Sequence, residues 1–564
     1  MKNKQPQAAG KKMRRLNNKD DISVHAISGI HTVLLNMDAK KGKEKGLLGF
    51  AIKRIDQTED ESYWLRGFRT FEINADSHHP GALVSTWKNP IQDFHWGDYT
   101  VKPGHKYTYI VVPVRGTPGN LVHDKGIKVT ISTEDEDQGE HAVFFNRAVA
   151  GSQAYARKFG NLPPDEVGPP ALKWLSRGLV EAMVEFIGQA KGKDWSLYAS
   201  VYEFNYIPVL EEFKKAIDRG VDVRIIFDNK DTKSGPGEEN RKAMKKAGIH
   251  PKYTIERNAN SSYISHNKFI LVLEKGKPRQ VWTGSTNITE GGIFGHSNVG
   301  HIIRNEKIAA AYHSYWQELS GDPEAKTLRP YNDQNTPLPG KNAPRRYIHP
   351  VFSSRGSLEA LDWYAERMES AKSSVFLTAA FGISKEFQSV LEEDKPYLRY
   401  VLLDKPGKGL DLIKRHHDNM ISIGGVLNDN ALDDWFDTKW KAERLTGLNT
   451  HVQYIHTKYM LIDPLGDDPM VITGSANFSE NSTRNNDENM VIIRGNKRVA
   501  DMYLGEFMRL FDHFRFRGTK IGAKARDREG AHPDLHLAPD DSWTKEFFQK
   551  GHHKEMQKKL FRGY

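Results

Sequence analysis

The stretch SHNKFILVL, Ser265–Leu273, returns later in the chain as a near-copy, IHTKYMLID, Ile455–Asp463. Both stretches favour β-strands, and successive side chains of a strand point to opposite faces of its sheet. The sequence therefore predicts that the histidine and the lysine of each copy share one face: His266 with Lys268, and His456 with Lys458. Each copy places an acid–base group beside a positive charge, and the duplication predicts a fold made of two related halves.

The two copies differ at their last position, which is Leu273 in the first and Asp463 in the second. This position lies seven residues after the histidine, so the alternation of side chains puts it on the opposite face of the strand. We therefore expect Asp463 to be a strand-end residue or a supporting residue behind the site, and not a group that reacts.

A second pair of matching stretches follows each histidine at the same distance of 18 residues, GSTN at Gly284–Asn287 and GSAN at Gly474–Asn477. Glycine lets the backbone approach a ligand closely, while the amides of Asn287 and Asn477 and the hydroxyls of Ser285 and Ser475 suit phosphate oxygens. A single His-x-Lys is usually an exposed pair, and a single Gly-Ser-x-Asn is usually a turn. Two copies of both, equally spaced, predict one catalytic site instead.

The surrounding chain repeats the same order of elements. From about Ala171, amphipathic helices alternate with β-branched strands, and the order helix, strand, helix, strand returns after Pro350. This pattern predicts an internal duplication of two α/β units, which we expect over residues 140–348 and 349–525.

The N-terminal part reads as short strands between Gly, Pro and Asp turns, which predicts a β-sandwich over residues 21–135. The stretch FHWGDYTVKPGHKYTYIVVPV resembles the middle of a fibronectin type III module, with Trp96, Tyr107 and Tyr109 placed like its core aromatics. Residues 1–20 are basic and expected to be disordered. Residues 526–564 are a charged tail ending in aromatics, which we expect to pack on the catalytic body.

Composition limits the function classes. The chain has 564 residues, 38% of them hydrophobic, and no cysteine, which excludes disulfides, thiolate nucleophiles and cysteine zinc sites. The net charge of +10 favours an anionic partner such as nucleic acid or a phospholipid surface, or serves solubility. The basic N-terminus lacks the apolar core of a secretion signal, so we expect a cytoplasmic protein, or a secreted one if a leader has been removed.

The duplicated motifs resemble those of the phospholipase D superfamily, whose signature is His-x-Lys-x4-Asp followed by Gly-Ser-x-Asn. The resemblance covers about Ala171 to Arg517. It implies an α/β fold in which two halves, related by a pseudo-twofold axis, form one active site, so that a monomer is sufficient. It also implies a phosphodiesterase that needs no metal or other cofactor.

The chemistry follows from the residue types. Two lysines and two asparagines neutralise and hold the non-bridging oxygens of an anionic phosphodiester. One neutral imidazole then attacks phosphorus to give a phosphohistidine, while the other donates a proton to the departing oxygen. Water or another alcohol completes hydrolysis or transfer.

The two histidines need opposite protonation states, and neighbours can separate them. In the family, an acidic residue downstream of each Gly-Ser-x-Asn bonds the histidine of the opposite half. The residues 32 positions after His456 and His266 are Glu488 and Asn298. If Glu488 orients His266 and Asn298 faces His456, then His266 is the nucleophile and His456 the general acid/base. This resembles tyrosyl-DNA phosphodiesterases. The alternatives are a surface charge at Glu488 and a turn-forming side chain at Asn298.

Two further stretches lie outside the motifs. Thr289–Ser297, TEGGIFGHS, is glycine-rich and predicts either a substrate-facing loop or the start of a helix. Leu427–Gly447 interrupts the second repeat, and its Trp435 can line a lipid or base pocket or pack beneath a loop.

Three functions remain open at this stage. The first is a phospholipase D-type hydrolase of phospholipids, able to transfer the phosphatidyl group, with peripheral contact to a membrane. The second is a nuclease or DNA-repair phosphodiesterase, favoured by the basic charge and by Asn298. The third is a catalytically weak binding module, in which Leu273 and Asn298 mark a decayed half. Phospholipid is favoured narrowly over nucleic acid.

Overall fold

The computed structural model describes residues 14–19, 21–77, 83–147, 153–160, 162–230, 235–259, 263–340, 342–424, 454–527 and 536–563. These residues fall into two compact units. The first unit contains the described residues up to Glu136 together with those from Lys497 onward. The second contains the described residues between Asp137 and Asn496.

The first unit consists mainly of antiparallel strands, as the sequence predicts. One sheet has the order β1-β2-β3-β8, and a second has the order β10-β9-β4-β5 with β11 also paired to β9. The strands are β1 (Arg14–Lys19), β2 (Ile22–Ser28), β3 (Val33–Ala39), β4 (Gly49–Asp56), β5 (Glu61–Trp64), β6 (Arg66–Gly67), β7 (Val84–Ser85), β8 (His95–Asp98), β9 (Lys106–Thr117), β10 (Asn120–His123) and β11 (Ile127–Ser132). Tyr107 and Tyr109 are buried in the core of this unit, whereas Trp96 is half-buried against it. The β-sandwich is present, and its likeness to fibronectin type III stays a prediction.

The N-terminal segment differs from the expectation of disorder up to residue 20. Arg14–Lys19 form β1, which pairs antiparallel with β2. The guanidinium of Arg14 also forms an ion pair of 2.7 Å with Asp501, far along the chain. A polar stretch without alternation is thus ordered by a hairpin with the next strand and by an ion pair with a distant residue.

The second unit contains two sheets with equivalent strand orders. The first sheet has the order β12-β13-β19-β18-β17-β14-β15-β16, and the other has β20-β26-β25-β24-β21-β22-β23. The strands of the first are β12 (Asp137–Gln138), β13 (His141–Phe145), β14 (Trp195–Val201), β15 (Asp222–Asp228), β16 (Thr254–Arg257), β17 (Lys268–Glu274), β18 (Lys277–Gly284) and β19 (Val299–Ile303). Those of the second are β20 (Tyr347–Ser353), β21 (Ser374–Ala379), β22 (Leu398–Leu403), β23 (Asn419–Ile423), β24 (Tyr459–Ile462), β25 (Met470–Gly474) and β26 (Glu488–Arg494). The predicted duplication is therefore visible strand by strand.

Helices cover these sheets and complete two separate apolar cores. They are α1 (Gln153–Phe159), α2 (Pro164–Val167), α3 (Pro169–Ser176), α4 (Leu179–Gly188), α5 (Ile207–Asp218), α6 (Gly237–Lys246), α7 (Glu306–Ser320), α8 (Ala325–Asn335), α9 (Glu359–Glu369), α10 (Lys385–Leu391), α11 (Leu410–Ile413) and α12 (Glu480–Arg484). The helices α3 and α4 are separated at Arg177 and Gly178, which both adopt left-handed backbone angles that end a helix.

Between the two sheets, α7 supplies aromatic residues that contact both of them. The ring of Tyr315 stacks on Phe352 of β20 at 4.2 Å between centroids. Tyr312 and Tyr315 also pack against Phe269 of β17. This buried aromatic layer fixes the relative position of the two sheets, and thereby of the strands that carry the motifs.

The C-terminal elements group with the first unit. They are α13 (Lys497–Asp527) and α14 (His553–Phe561), with a 3-10 helix at Asp541–Phe548 between them. Phe547 is buried in the core of the β-sheets, and the Trp543 indole donates to the carbonyl of Leu47 at 2.8 Å. We expected this tail to pack on the catalytic body, but the aromatic residues of the tail fill the core around Phe94 of the first unit. None of the helices in the part of the chain that the structure describes is both long and apolar enough to cross a membrane.

Candidate active site

The two motif histidines lie just before two equivalent strands, β17 and β24, and the backbone brings them together. The segment before His266 pairs with Asp487, and the His266 N–H donates to the Asp487 carbonyl at 2.9 Å. In the same way, the His456 N–H donates to the carbonyl of Ser297 at 3.2 Å. Each half thus holds the histidine segment of the other half, and all these residues belong to the second unit.

Two aspartates brace the same segments and were not recognised in the sequence. Asp228 ends β15, and its carboxylate accepts the N–H of Ser265 at 2.7 Å. Asp404 follows β22, and its carboxylate accepts the N–H groups of Tyr454 and Ile455 at 2.7 and 2.9 Å. Burial raises the pKa of Asp228. The repeated endings IIFD and VLLD of two buried strands were the available signal.

His266 contacts the carboxylate predicted for it. Its Nδ1 lies 2.9 and 3.0 Å from the two oxygens of Glu488, which is fully buried. Burial lowers the pKa of His266 to about 4, against the opposing effect of Glu488. Burial alone would raise the pKa of Glu488, but His266 and Lys268 outweigh it and the net shift is downward. A neutral His266 therefore donates its Nδ1–H to an ionised carboxylate, which leaves a lone pair on Nε2.

His456 contacts an amide in the equivalent place. Its Nδ1 lies 2.9 Å from Oδ1 of Asn298. The Asn298 Nδ2 donates to the Gly292 carbonyl at 2.7 Å, which turns the amide oxygen toward the imidazole. Burial and the positive charge of Lys458 lower the pKa of His456 well below its usual value. The structure thus contains both cross-contacts between halves that the family resemblance implied, one with a carboxylate and one with an amide.

The motif lysines occupy equivalent positions beside the histidines. Lys268 Nζ donates to the carbonyl of His266 at 2.7 Å, and Lys458 Nζ donates to the carbonyl of His456 at 2.6 Å. Burial lowers the pKa of Lys268 to about 8. Burial and then repulsion from Lys268 lower that of Lys458. Each ammonium has further N–H donors, so the pair is suited to hold an anion.

The motif asparagines follow β18 and β25, the strands that pair with β17 and β24. Asn287 donates through Nδ2 to the carboxylate of Glu203, and the backbone N–H of Asn477 donates to Ser482 Oγ at 3.2 Å. The Oδ1 atoms of Asn287 and Asn477 are both buried without a hydrogen-bond partner among the described residues. Each amide therefore keeps polar capacity for a ligand.

The motif serines, and Asn298 with them, were expected to bind substrate, but the structure places them behind the imidazoles. Ser285 Oγ donates to Asn298 Oδ1 at 2.8 Å, and Ser475 Oγ donates to Glu488 at 2.7 Å. Each hydroxyl also accepts a backbone N–H, from Val299 or Asn489. Their hydrogen bonds are used to orient the partners of the histidines. The sequence identified the two hydroxyl groups but not the groups to which they donate.

Asp463 has the strand-end position that was one of the two expected for it. Asp463 lies at the far end of β24 and accepts the backbone N–H groups of Lys372, Ser373 and Ser374 at 2.6 to 3.1 Å. It therefore ties two strands together, as a strand-end residue does. Trp435 lies outside the described residues.

Three rings near the histidines were missed in the sequence. Tyr202 lies 5.0 Å from the His266 ring, and His296 lies 4.7 Å from the His456 ring. Phe381 lies 6.3 Å from the His456 ring and is 60% exposed. Tyr202 and Phe381 follow the equivalent strands β14 and β21, so the repeat alignment could have found them; for His296 the only signal was the glycine-rich stretch before it.

The different partners predict opposite responses to charge changes. Glu488→Gln removes the carboxylate that raises the pKa of His266, so that pKa should fall further below about 4. Asn298→Asp should raise the pKa of His456 by adding a carboxylate beside Nδ1. NMR titration of ¹⁵N-labelled histidine measures both shifts.

The matched control is Glu480→Gln, which neutralises an exposed carboxylate on α12 and should leave both titrations unchanged. A rise in the pKa of His266 in Glu488→Gln would contradict the contact between the two groups.

Comparison with known families gives one match that spans both halves. Residues 183–320 and 400–511 match a family described as "Cardiolipin synthase, PLD-like domain". No curated protein sequence matches the chain.

Several solved structures resemble the chain at low identity. A phosphatidylserine synthase from Haemophilus influenzae is 11% identical over 60% of this chain and 85% of its own, with a TM-score of 0.41. Yeast tyrosyl-DNA phosphodiesterase is 13% identical over 57% and 88%, with a TM-score of 0.30. A polyphosphate kinase from Porphyromonas gingivalis is 13% identical over 55% of this chain, with a TM-score of 0.36, and the chain spans only 42% of its length. These likenesses are too low to indicate a function.

Proposed function

We propose that this chain, which carries a phospholipase D-like domain made of two α/β halves, is a phosphodiesterase that acts through a phosphohistidine intermediate. The observation that carries the proposal is the pair of cross-contacts between halves, His266 with Glu488 and His456 with Asn298. They place one imidazole beside a carboxylate and the other beside a neutral amide. The two lysines beside them supply the positive charge that an anionic phosphodiester needs.

In the first step, Nε2 of His266 attacks phosphorus as the bond from phosphorus to the leaving oxygen breaks. The leaving oxygen takes a proton from Nε2 of protonated His456. The bound phosphate favours that protonation, because an anion nearby raises the pKa of an imidazole. Glu488 stabilises the positive charge that develops on the His266 ring, while its hydrogen bond to Nδ1 keeps Nε2 directed at phosphorus.

In the second step, neutral His456 accepts a proton from water or an alcohol as its oxygen attacks phosphorus. The bond between phosphorus and nitrogen breaks, and its electron pair returns to Nε2 of His266. Lys268, Lys458 and the Asn477 amide hold the non-bridging oxygens in both steps. Hydrolysis and transfer differ only in the molecule that attacks.

We propose phospholipids as the substrate class, because Phe381 offers an exposed apolar ring beside His456. A nucleic acid phosphodiesterase is the second candidate, which the net charge of +10 favours.

Release of choline or ethanolamine from liposomes, compared with cleavage of single- and double-stranded DNA in EDTA, separates these two candidates. We expect headgroup release to exceed DNA cleavage, and His266→Ala to abolish it. Activity confined to DNA would overturn the lipid assignment. A purified protein that cleaves neither substrate nor bis(p-nitrophenyl) phosphate would favour a binding role.

The roles of the two histidines predict different kinetics on bis(p-nitrophenyl) phosphate. p-Nitrophenolate departs without a general acid, but hydrolysis of the phosphohistidine needs a base. His456→Ala should therefore release about one equivalent of p-nitrophenolate per site in a burst and then stall. His266→Ala should show no burst and a turnover about 10⁴-fold lower.

Mass spectrometry of the stalled His456→Ala enzyme should locate the phosphoryl group on His266. A burst in His266→Ala with label on His456 would reverse the assignment.

The pKa shifts predict a bell-shaped dependence of kcat/KM on pH with bis(p-nitrophenyl) phosphate, whose leaving group needs no protonated His456. Below about pH 4, protonation of His266 removes the nucleophile. Above about pH 8, Lys268 loses the proton, and therefore the charge, that holds the substrate. Lys268→Arg keeps its charge at high pH, so the alkaline limb should move upward even if maximal activity falls.

The control for this experiment is Lys277→Arg, at the exposed first residue of β18, which should leave the profile in place. An alkaline limb that stays near pH 8 in Lys268→Arg would show that another group sets it.

A further inference from the structure

A third imidazole, His296, lies at the site without belonging to either motif. It follows the π-helical turn Gly291–Gly295 and is 8% exposed, with its ring centroid 4.7 Å from that of His456. The equivalent position in the second repeat is Asn486, whose side chain accepts the backbone N–H of Ile264. The first half therefore has an imidazole at the position where the second half has an amide that binds the backbone.

The hydrogen bonds of Asn298 determine where His296 carries its proton. Asn298 Oδ1 faces His456 Nδ1 and Ser285 Oγ, so its Nδ2 faces His296 Nδ1, at 3.0 Å. An amide nitrogen donates, so the His296 Nδ1 must accept through its lone pair. In the neutral ring the proton is then on Nε2. Burial, and then the charge of Lys458, lower the pKa of His296 to about 3, which keeps the ring neutral.

The remaining nitrogen of His296 has no hydrogen-bond partner in the described part of the chain, although the side chain is more than nine-tenths buried. Both His296 and His456 bind Asn298 through Nδ1, so the Nε2 of each ring lies on the side away from Asn298. With the centroids 4.7 Å apart, one small group can contact both Nε2 atoms. When His456 is protonated, as in the first step, both Nε2 atoms carry a hydrogen, and both can donate to oxygens of the same phosphate.

We propose that His296 Nε2–H donates a hydrogen bond to a phosphate oxygen bound next to His456, which makes it a fourth donor of the phosphate site beside the two lysines and the Asn477 amide. The proposal rests on the proposed function, since it names a further contact to the same substrate. His296 transfers no proton in this role. It keeps the phosphate oxygen next to His456 while His456 gains and loses its own proton.

Three substitutions separate this role from a purely structural one. His296→Gln keeps an N–H donor near the position of Nε2, and His296→Asn keeps a polar group near Nδ1 that can still accept from Asn298. His296→Phe keeps the ring shape without either group. Thermal unfolding of each variant shows that it is folded before it is compared with the native protein.

The measured quantities are kcat/KM on bis(p-nitrophenyl) phosphate and, separately, the Kd for inorganic phosphate by calorimetry. We expect His296→Phe and His296→Asn to lose about 10- to 100-fold in both, as for loss of one hydrogen bond to a charged group. His296→Gln should stay within about threefold of the native protein. No loss in His296→Phe, or a Gln variant no better than the Asn variant, would overturn the proposal.

The phosphate measurement distinguishes this inference from the proposed function. A native protein that binds phosphate but does not cleave the diester would refute the proposed function, and the order of phosphate affinities among the three variants would still decide the role of His296. A native protein that neither binds phosphate nor cleaves the diester would refute both.

Discussion

The burial of two ammonium groups near each other is the constraint on which the rest of the site depends. Lys268 and Lys458 are both buried. Desolvation destabilises the charged form of each ammonium group, and repulsion from Lys268 further destabilises that of Lys458. Within this unit, Glu488 is the carboxylate that acts on both of them and on His266. An anion bound beside the lysines offsets this cost, so the site favours an anionic ligand.

Such an unfavourable cluster persists only if the scaffold holds it rigidly, and the cross-pairing of the halves provides this. The Asp487 carbonyl that binds the His266 N–H belongs to a residue whose buried carboxylate pairs with Arg257 at 2.9 Å. Arg257 also binds Asp322, so three separate segments fix one histidine. Because the partner of each imidazole comes from the other half, neither half alone contains an oriented histidine. This explains physically why the duplicated units occur as one body.

The sequence predicted the parts of the site that repeat and missed those that do not. Equal spacing identified the motifs, because a duplicated backbone places equal offsets at equivalent points. The family resemblance implied a partner for each histidine, and the same spacing located these partners at Glu488 and Asn298. It could not show that Ser285 and Ser475 face the partners of the histidines, since alternation stops at the turn after each strand. His296 enters through a π-helical turn without a counterpart. The order of β1 depends on a hairpin with β2 and on the ion pair of Arg14 with the distant Asp501, which the composition of this basic stretch does not encode.

The residues around His266 carry more acidic charge than those at the equivalent positions around His456. Next to His266 lie Glu488, Tyr202 and, one residue further, Glu203; the equivalent positions next to His456 hold Asn298, Ala380 and Phe381. A nucleophilic imidazole becomes positively charged when it bonds to phosphorus, and a carboxylate stabilises that charge. An imidazole that must release its proton to a leaving oxygen would be held back by the same carboxylate. An amide orients the ring without favouring either protonation state, so the loss of acidic charge around His456 suits a group that passes through both states in each cycle.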